Sequence, residues 1–520
     1  MKKKTVLFLV CMFNLTVYST TSCKKSAETV AQNNNRKGSN FYVDSENGND
    51  SYSGKTTSKA WKTLNKVNNY LFTPGDSILL KSGGIWNGQL IAKGSGSSGY
   101  PIVVSSYGGN TKPLLDGKGL VEQVVKLEDV DYWELHHLEI TNNATSIGKR
   151  LGVLIKDNGK ERKHFHLKNL YIHDIMGDYS FEMQGKNTGG IGIIGNAATK
   201  FDDILIEDCE IANVTRVGIY SNLTDGKAAV KGNRPITNFV IRRNKIHHCA
   251  GDGVIVRYAY QPLIEYNEVW ENHNASEDLV KYGVALWCRS TDEATFQYNE
   301  VYNTRGGKDG QAFDADEDAY RTIIQNNYSH DNEGGFVLIT STSEDAIVRN
   351  NISVNDGIKG LHIFDFPVWA NHIRGTGIFH NNTIVLGKSH ETVVVVDEAL
   401  NTAKFYNNIF YHAGEGELYI KSGGMTAIFN SNSYFGYDPF VINDVKSIVA
   451  NPMLLDPLNY KIGKNFTNGF KINALSPVKG KGINILQMEG NYWLPNLGLK
   501  DFFGNSFNSQ NISLGANQIN

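Results

Sequence analysis

The chain has 520 residues, of which 40% are hydrophobic and 20% charged, and its 51 basic and 53 acidic side chains leave a formal net charge of -2. This composition excludes an intrinsically disordered chain, and the near balance of charge excludes a global field that attracts nucleic acid or an anionic membrane. Fifty-two Gly and only 11 Pro, with 24 Phe and 25 Tyr, favour strands and tight turns over a helical bundle.

The N-terminal segment has the pattern of a bacterial export signal. Three Lys after Met1 precede an apolar run over residues 6–13, which is too short to cross a membrane. The following sequence TTSCK is similar to a lipoprotein processing site, although the usual Leu three positions before the Cys is absent. It predicts an exported protein, held at the outer membrane by a lipid on Cys23; release into the periplasm or the medium is the alternative.

A short helix is predicted before the central part of the chain. Residues 58–72 (SKAWKTLNKVNNYLF) place Trp61, Leu64, Val67 and Leu71 on one helical face. Such a helix is suited to closing the open end of a repetitive fold, where an exposed edge strand invites aggregation.

A repeat organises the middle of the chain. The repeated motif is an apolar residue, two variable residues, Asn, a variable residue and a second apolar residue. Asn or Gly follows, and then a short segment in which apolar residues alternate with others. The repeat is aligned on Asn244, Asn267, Asn299, Asn327, Asn351, Asn382 and Asn408, with Cys209 and Asn169 extending the register towards the N terminus.

The spacing of these Asn residues, between 23 and 32 residues, predicts a solenoid of short strands in which each coil stacks on the last. The Leu-x-x-Leu-x-Leu frame of leucine-rich repeats is absent. We expect the Asn side chains to lie at a sharp turn of each coil and to hydrogen-bond along the solenoid as a ladder, which is a structural role.

Segments near both ends resemble those of a known superfamily. FYVDSENGNDSYSGKTTSKAWKTLNKVNNYLFTPGDSILLKSG and YPIVVSSYGG, then FKINALSPVKGKG and DFFGNSFNSQNISLGANQ, are similar to the start and end of bacterial right-handed parallel β-helix proteins, the pectate-lyase-like superfamily. Its members include pectate and alginate lyases and several glycoside hydrolase families. The polygalacturonase Asn-Thr-Asp, Asp-Asp and Gly-His-Gly set and the epimerase Asp-Pro-His-Glu set are absent from this sequence.

The resemblance implies an all-β fold, a right-handed parallel β-helix with an N-terminal capping helix and a C-terminal cap. We divide the chain into a signal peptide (1–22), a flexible tether (23–40), the N-terminal cap and first coils (41–130), the β-helix with its groove (131–435), and C-terminal coils and cap (436–520).

Alternation along each strand predicts which side chains face solvent. Counting from the Gly before each strand assigns Val254, Leu286, Phe313, Phe336 and Leu338 to the core. The outward positions then form one column across successive coils, with these polar or aromatic members: Arg257, Trp287, Asp314, His362 and Phe364. Ala285, Ala312, Val337 and Ile339 are also assigned outward.

One coil, residues 306–335, is unusually acidic. Its carboxylates are Asp309, Asp314, Asp316, Glu317, Asp318, Asp331 and Glu333. Asp314 and Asp316 lie two residues apart on one strand and are expected to point the same way, and Glu333 is expected one coil on, beside Asp309.

Glycoside hydrolysis needs two carboxyl groups flanking the bond, one of them protonated, and crowding raises the pKa of one member. This coil is also similar to the catalytic coil of β-helix glycoside hydrolases, which carry acidic residues on such a strand and on the turn before it. That resemblance assigns the catalytic role to Asp309 and Asp316, with Glu333 as third candidate and Asp314 in the same set. The pair Asp309 and Asp316 requires a bend at Gly310.

The predicted sugar-binding residues surround this cluster. Aromatic faces stack on sugar rings, and Arg grips carboxylates or sulfates. The candidates are Trp287, Arg257, Arg289, His330 and His362.

Three functions remain open from the sequence. The leading one is a glycoside hydrolase acting on a plant or algal polysaccharide or its oligosaccharides, as a monomer without a cofactor, without a nucleic-acid partner, and in contact with a membrane only through its lipid anchor. The second is a Ca²⁺-dependent polysaccharide lyase, with Asp309, Asp314 and Asp316 on the ion and Lys308, Arg289 or His330 as base. The third is a non-catalytic glycan-binding β-helix.

The cysteines predict neither a zinc site nor a disulfide framework. Beyond Cys23 only Cys209, Cys249 and Cys288 remain, without CxxC spacing, and each is expected to be a small buried hydrophobic residue. No resident metal is predicted.

Overall fold

The computed structural model describes residues 38–179, 185–226, 230–276, 279–306, 309–340, 342–359, 362–367, 376–388, 393–397, 402–416, 420–422, 427–437, 443–488, 494 and 496–519. The predicted export signal, Cys23 and Lys308 lie outside the described residues. Within them the chain forms the predicted all-β solenoid, whose successive strands build three parallel sheets.

Each coil contributes its first strand to sheet 1, which has 14 strands within the described ranges. These are Asn40–Val43, Ser77–Lys81, Ile102–Tyr107, Trp133–His136, Glu161–Lys168, Lys200–Glu207, Ile236–Arg242, Leu263–Glu265, Thr295–Gln297, Ile323–Gln325, Ala346–Arg349, Thr376–His380, Thr402–Tyr406 and Ile428–Asn430.

The next strand of each coil belongs to sheet 2, for which the described part of the chain also supplies 14 strands. These are Ile85–Asn87, Leu114–Asp116, Glu139–Asn142, Tyr171–Ile175, Glu210–Val214, Lys245–His247, Glu268–Trp270, Glu300–Tyr302, Tyr328–His330, Ile352–Val354, Thr383–Leu386, Ile409–Gly416, Ser433–Tyr437 and Ile448–Val449.

Sheet 3 carries a groove and has 12 strands among the residues that the structure describes. These are Leu90–Ile91, Gln123–Glu128, Leu151–Lys156, Gly189–Gly195, Val217–Leu223, Val254–Arg257, Leu286–Arg289, Gln311–Ala315, Gly335–Ile339, His362–Phe366, Val393–Asp397 and Ile420–Ser422.

In the part of the chain that the structure describes, the helices are few and short: Leu64–Asn68 and Ile485–Met488 are α-helical, and Thr57–Lys59, Gly185–Asn187 and Lys464–Phe470 are 3₁₀ turns. Among the described residues, no helix is long and apolar enough to cross a membrane. The predicted capping helix is present but shorter than residues 58–72, because the Thr63 side chain accepts a hydrogen bond from the Lys66 N–H and starts the helix there. Leu71 lies beyond its end and is exposed.

The Asn ladder is confirmed. Each ladder Asn donates its side-chain N–H to the Oδ1 of the next: Asn299, for example, donates to Asn327 across 3.1 Å and to the carbonyl of Ile264 across 2.9 Å. The ladder runs one rung further than predicted, to Asn432. Cys209 occupies the rung before Asn244 and donates its backbone N–H to the Asn244 side chain.

Asn169 is not a ladder residue. It has a φ of 52°, the left-handed conformation that also precedes the ladder positions, for example at Arg243 and Asn326. Asn tolerates this conformation better than most residues, so its presence in the motif reflects the turn and not the ladder.

The interior is filled by one continuous apolar core, to which the aligned residues Val254, Leu286, Phe313, Val337 and Phe364 contribute. Cys209, Cys249 and Cys288 are buried free thiols, as predicted.

The predicted alternation fails at the corner between sheets 2 and 3. Here two consecutive residues, such as Phe336 and Val337, both face the interior while the chain turns. Several residues that were predicted to face outward at this corner, or one step after it, therefore lie in the core. They are Ala285, Ala312, Val337, Ile339 and Phe364. Leu338, predicted inward, instead lies beside Asp314 and faces the groove.

Candidate active site

A groove runs along the outer face of sheet 3 and encloses a cavity of about 950 Å³. Parallel pairing sets Trp287 beside Asp314, then Asp314 beside Leu338, then Leu338 beside Asp365, so these four side chains form one outward column. Arg257 and Arg289 pair on the neighbouring strands and begin a second column. Aromatic, cationic and acidic side chains therefore lie beside one another on successive rungs.

Three of the four predicted catalytic carboxylates line this cavity: Asp309, Asp314 and Asp316. Asp309 precedes the strand Gln311–Ala315 and is turned towards it by Gly310, whose φ of 102° provides the predicted bend. An L-residue with a side chain rarely adopts this backbone conformation. Asp316 follows the strand directly, and its N–H donates to the Cys288 carbonyl across 2.9 Å.

The carboxyl groups perturb one another. Burial raises the pKa of Asp309 to about 7; Lys186 opposes the shift, and the charges of Asp252, Asp316 and Asp365 reinforce it. Burial, reinforced by Asp316 and Asp309, raises the pKa of Asp314 well above its usual range. Asp314 Oδ1 is buried without a hydrogen bond. Protonated carboxyl groups are thus available at neutral pH, as an acid catalyst requires.

A buried charge network supports the Trp287 ring. The indole Nε1–H donates to Asp252 Oδ1 across 2.8 Å, and Asp252 Oδ2 lies 3.1 Å from Arg216 Nη1 and 3.6 Å from Lys186 Nζ. Burial raises the pKa of Asp252, but Lys186 and Arg216 outweigh that effect and hold it below its usual value. Asp252 is therefore an anion that fixes the indole.

Two cations contact the same indole. Lys186 Nζ lies 4.6 Å and the Arg257 guanidinium carbon 5.2 Å from the Trp287 ring centroid. Such contacts restrict the orientation of the ring and concentrate positive charge beside it. Arg289 is engaged by Glu317 at the groove rim.

Glu333 does not line the cavity. Its carboxylate accepts from Gly306 N–H (3.0 Å) and Arg305 Nη1 (3.2 Å), and lies 2.7 Å from Lys359 Nζ. Burial raises the pKa of Glu333, but Lys359, the Gly306 N–H and Arg305 together keep it below its usual value. The expectation that Glu333 joins the acidic cluster is wrong in position, because these partners hold it in the turn that leads to Asp309.

His330 also lies elsewhere. It ends a strand of sheet 2, where its ring stacks on Tyr302 at 4.8 Å and its Nδ1 lies 2.9 Å from Asp331 Oδ2. The predicted placement beside the cluster is wrong, since the coil still has to turn the corner before reaching sheet 3.

His362 sits at the edge of the acidic cluster and not in the outward column. It begins its strand of sheet 3, and its Nδ1 lies 3.6 Å from Asp365 Oδ1. The column position that the sequence assigned to this coil belongs to Asp365.

Asp365, Asp252 and Lys186 are the site residues that the sequence analysis missed. Phe364 is buried, so alternation along the strand turns the next residue, Asp365, outward. Counting from the preceding Gly had assigned the outward positions to His362 and Phe364. Asp252 and Lys186 belong to earlier coils, and no local pattern in the sequence connects them to the acidic coil.

The acidic cluster does not have the geometry of a preformed metal site. Within the described ranges, three ligand atoms lie within 4.8 Å of one another at Glu134, His164 and His166, and not at Asp309, Asp314 and Asp316. Those three residues lie on sheet 1 and are considered separately below.

Comparison with known proteins shows which fold the chain shares with them. Residues 127–352 match the family described as "Right handed beta helix region". The chain is 28% identical to a lacto-N-biosidase of Bifidobacterium longum subsp. longum, in an alignment that covers 83% of this chain and 32% of that protein. The chain thus spans about a third of the length of this curated relative.

Two solved structures are also similar. A GH136 lacto-N-biosidase from Eubacterium ramulus is 25% identical, with a TM-score of 0.57 over 67% of this chain and 64% of that one. The complex of XylC with xylose is 12% identical, with a TM-score of 0.52 over 92% of this chain and 98% of that one, and shows the fold alone. The predicted resemblance to right-handed parallel β-helix proteins is confirmed by these likenesses.

Proposed function

We propose that the chain is a glycoside hydrolase that cleaves an oligosaccharide in the groove of sheet 3. The observation that carries the proposal is the placement of Asp309 and Asp316 on one cavity, with burial raising the pKa of Asp309 to about 7. A carboxyl group with such a pKa holds a proton at neutral pH and can donate it to the oxygen of the leaving group. The similarity to two lacto-N-biosidases supports the same activity.

In this mechanism Asp309 is the general acid and Asp316 supplies the second carboxylate. Asp316 either attacks the anomeric carbon or removes a proton from the attacking water, and the two routes give retained or inverted stereochemistry. Asp314 is buried at the cavity wall, and its raised pKa favours a neutral acid that adds no further negative charge to the cavity. Trp287 offers an aromatic face for a sugar ring, with Arg257 beside it.

The substrate proposal follows from the relatives' names. A lacto-N-bioside linked to a larger oligosaccharide is the first substrate to test, with plant and algal polysaccharides as the wider panel. A cavity of about 950 Å³ is in the size range of small-ligand sites and suits a short saccharide.

Two features that the lyase alternative requires, the His330 base and the metal site, are not found in the described groove. His330 faces away from the groove on sheet 2, and the three Asp carboxylates do not converge as metal ligands. A uronate lyase needs a base and a charge neutraliser at one carbon. Of the predicted bases, Arg289 lines the groove, but Glu317 engages its guanidinium.

The deciding experiment incubates the purified protein with lacto-N-biosides and with the polysaccharide panel. Products are followed both as new reducing ends and by the ultraviolet absorbance of unsaturated uronates. We expect reducing ends without that absorbance, and proton NMR of the first product then gives the stereochemistry. Unsaturated products refute the hydrolase proposal, and binding without any product supports a non-catalytic glycan-binding protein.

We also propose that the protein is exported and anchored through Cys23. The basis is the sequence pattern alone, a basic start, an apolar run and TTSCK. Cell fractionation of a Cys23→Ala variant tests it: we expect the variant to leave the membrane fraction, and unchanged fractionation contradicts the lipid anchor.

A further inference from the structure

Three side chains with metal-binding atoms converge on sheet 1. Glu134 lies on the strand Trp133–His136, and His164 and His166 lie on the adjacent strand Glu161–Lys168. His164 Nε2 is 2.8 Å and His166 Nδ1 is 3.8 Å from the same oxygen, Glu134 Oε1. All three ligand atoms lie within 4.8 Å of one another.

The far side of both imidazole rings is held by one further carboxylate. His164 Nδ1 lies 2.7 Å from Asp203 Oδ2, and His166 Nε2 lies 2.8 Å from Asp203 Oδ1. Each ring therefore turns one nitrogen to Glu134 and the other to Asp203. A carboxylate on the second nitrogen fixes the tautomer and orientation of metal-binding histidines, and makes the first nitrogen a better ligand.

The coil turns and the strand register bring these side chains together. His164 and Asp203 both have a φ of 62°, a left-handed turn conformation that recurs on the neighbouring coils at Tyr132 and Asn238. Strand pairing sets His166 directly beside Glu134. The two imidazole rings lie with their centroids 3.9 Å apart.

Burial also suits an ion. The side chains of Glu134, His164 and His166 are between 13% and 19% exposed, so that an ion can enter while most of the surrounding water is excluded.

We propose that Glu134, His164 and His166 bind a divalent transition-metal ion of the zinc type. Two imidazole nitrogens and one carboxylate oxygen are a ligand set that zinc takes, and Asp203 is a positioning residue for both histidines. The ion links two adjacent coils of sheet 1, whereas the groove lies on sheet 3. The site is therefore independent of the proposed hydrolase reaction, and its role is to stabilise the solenoid.

The test uses the purified, chelator-treated protein with cobalt and zinc as probes. Titration with Co²⁺ is expected to produce a saturable visible absorption band at one equivalent, which Zn²⁺ then abolishes by displacement. Zn²⁺ is expected to raise Tm, because an ion that binds only the folded state stabilises it. His164→Ala and His166→Ala should each remove both the band and the Tm shift.

The matched control is His248→Ala, which removes an exposed histidine paired with Glu271 outside the cluster and should change neither readout. Asp203→Asn leaves the three ligands in place and should weaken cobalt binding without abolishing it. Circular dichroism confirms that each variant is folded. The absence of a saturable band in the unaltered protein overturns the proposal, as does a band that persists in both folded His→Ala variants.

Discussion

Asp252, wholly buried at the floor of the groove, accepts a 2.8 Å hydrogen bond from the Trp287 indole while its second oxygen lies 3.1 Å from the buried guanidinium of Arg216. This one carboxylate thus links the indole ring in the groove to the buried Arg216 side chain. The two connections are separable by mutation.

Trp287→Ala is expected to raise KM for the cleaved oligosaccharide roughly tenfold, because the stacking face is lost, while kcat changes less. Steady-state kinetics measure the changes in KM and kcat separately. A fall in kcat with unchanged KM would show that Trp287 acts on the transition state and not on substrate binding.

Asp252→Ala is expected to lower the free energy of unfolding by about 3–5 kcal/mol, because Arg216 is left buried without its partner. Denaturant unfolding measures the loss. The matched control is Asp208→Ala, which breaks the exposed ion pair with Arg243 and should cost about 1 kcal/mol or less. Equal losses in the two variants contradict a special role for the buried pair.

The acidic cluster gives the sharpest test of catalysis. Asp309→Asn and Asp316→Asn are each expected to lower kcat by on the order of 10³-fold, because each removes a group that acts in the transition state. Asp314→Asn replaces a buried, neutral acid by a neutral amide of the same shape, and we expect its kcat to stay within about tenfold of the original. Glu333→Gln, outside the cavity, should also keep most activity.

The assays are run with chelator and with excess calcium. Recovery of Asp316→Asn by calcium would indicate a weakened metal site, since added ion refills such a site by mass action. Near-normal turnover of both Asp309→Asn and Asp316→Asn would remove this coil from the mechanism.

The raised pKa of Asp309 also predicts a pH dependence of activity. If Asp309 is the acid, kcat/KM falls as pH rises through about 7, where the proton is lost. A pH–rate profile without a basic limb near pH 7 contradicts this assignment.

The same proton affects stability. Asp309 holds it in the folded protein up to about pH 7, whereas an unfolded Asp releases it near pH 4. The free energy of unfolding therefore decreases as pH rises across this window. Asp309→Asn removes that contribution, so the variant should exceed the original protein in stability by on the order of 1 kcal/mol or more at pH 8, with a smaller difference at pH 4.

The Asn ladder predicts that removing one side-chain amide lowers the free energy of unfolding substantially. Asn299→Ala leaves the Ile264 carbonyl and the Asn267 backbone and side-chain N–H groups without their buried partner. At about 1–3 kcal/mol for each unsatisfied group, a loss of at least ~3 kcal/mol in unfolding free energy is expected. Asn459→Ala, which removes one exposed hydrogen bond to Asp456, is the control and should change stability by less than about 0.5 kcal/mol.

The ladder was predictable because its bonds repeat once per coil and the turn requires the same residue each time. The groove was predictable where alternation held, as for Trp287 and Asp314. It was not predictable where Phe336 and Val337 both turn inward at a corner, since that geometry depends on how the coil closes and leaves no periodic pattern. Asp252 was missed because its partners come from other coils.

Gly310→Ala tests whether the position of Asp309, and not merely its presence, is required for catalysis. The added Cβ meets the Arg305 carbonyl oxygen at 2.8 Å and the Gly334 nitrogen at 3.1 Å, on a backbone whose φ is 102°. The chain must shift at the residue next to Asp309, and small displacements of a catalytic group cost about 10²-fold in rate. We therefore expect kcat to fall by on the order of 10²-fold with every carboxylate intact.

Gly88→Ala separates this displacement from backbone strain alone. Gly88 has nearly the same φ, 107°, but an added Cβ there meets nothing within 4 Å. Both variants should lose stability from the strained φ, on the order of 1 kcal/mol. Gly310→Ala should lose more, because its Cβ also meets the Arg305 carbonyl oxygen, and only this variant should lose activity. The basic limb of its pH–rate profile should also move, because the burial that raises the pKa of Asp309 depends on where the carboxyl group sits. Full activity in a folded Gly310→Ala variant would mean that the bend does not position the acid, and that Asp309 reaches the substrate without it.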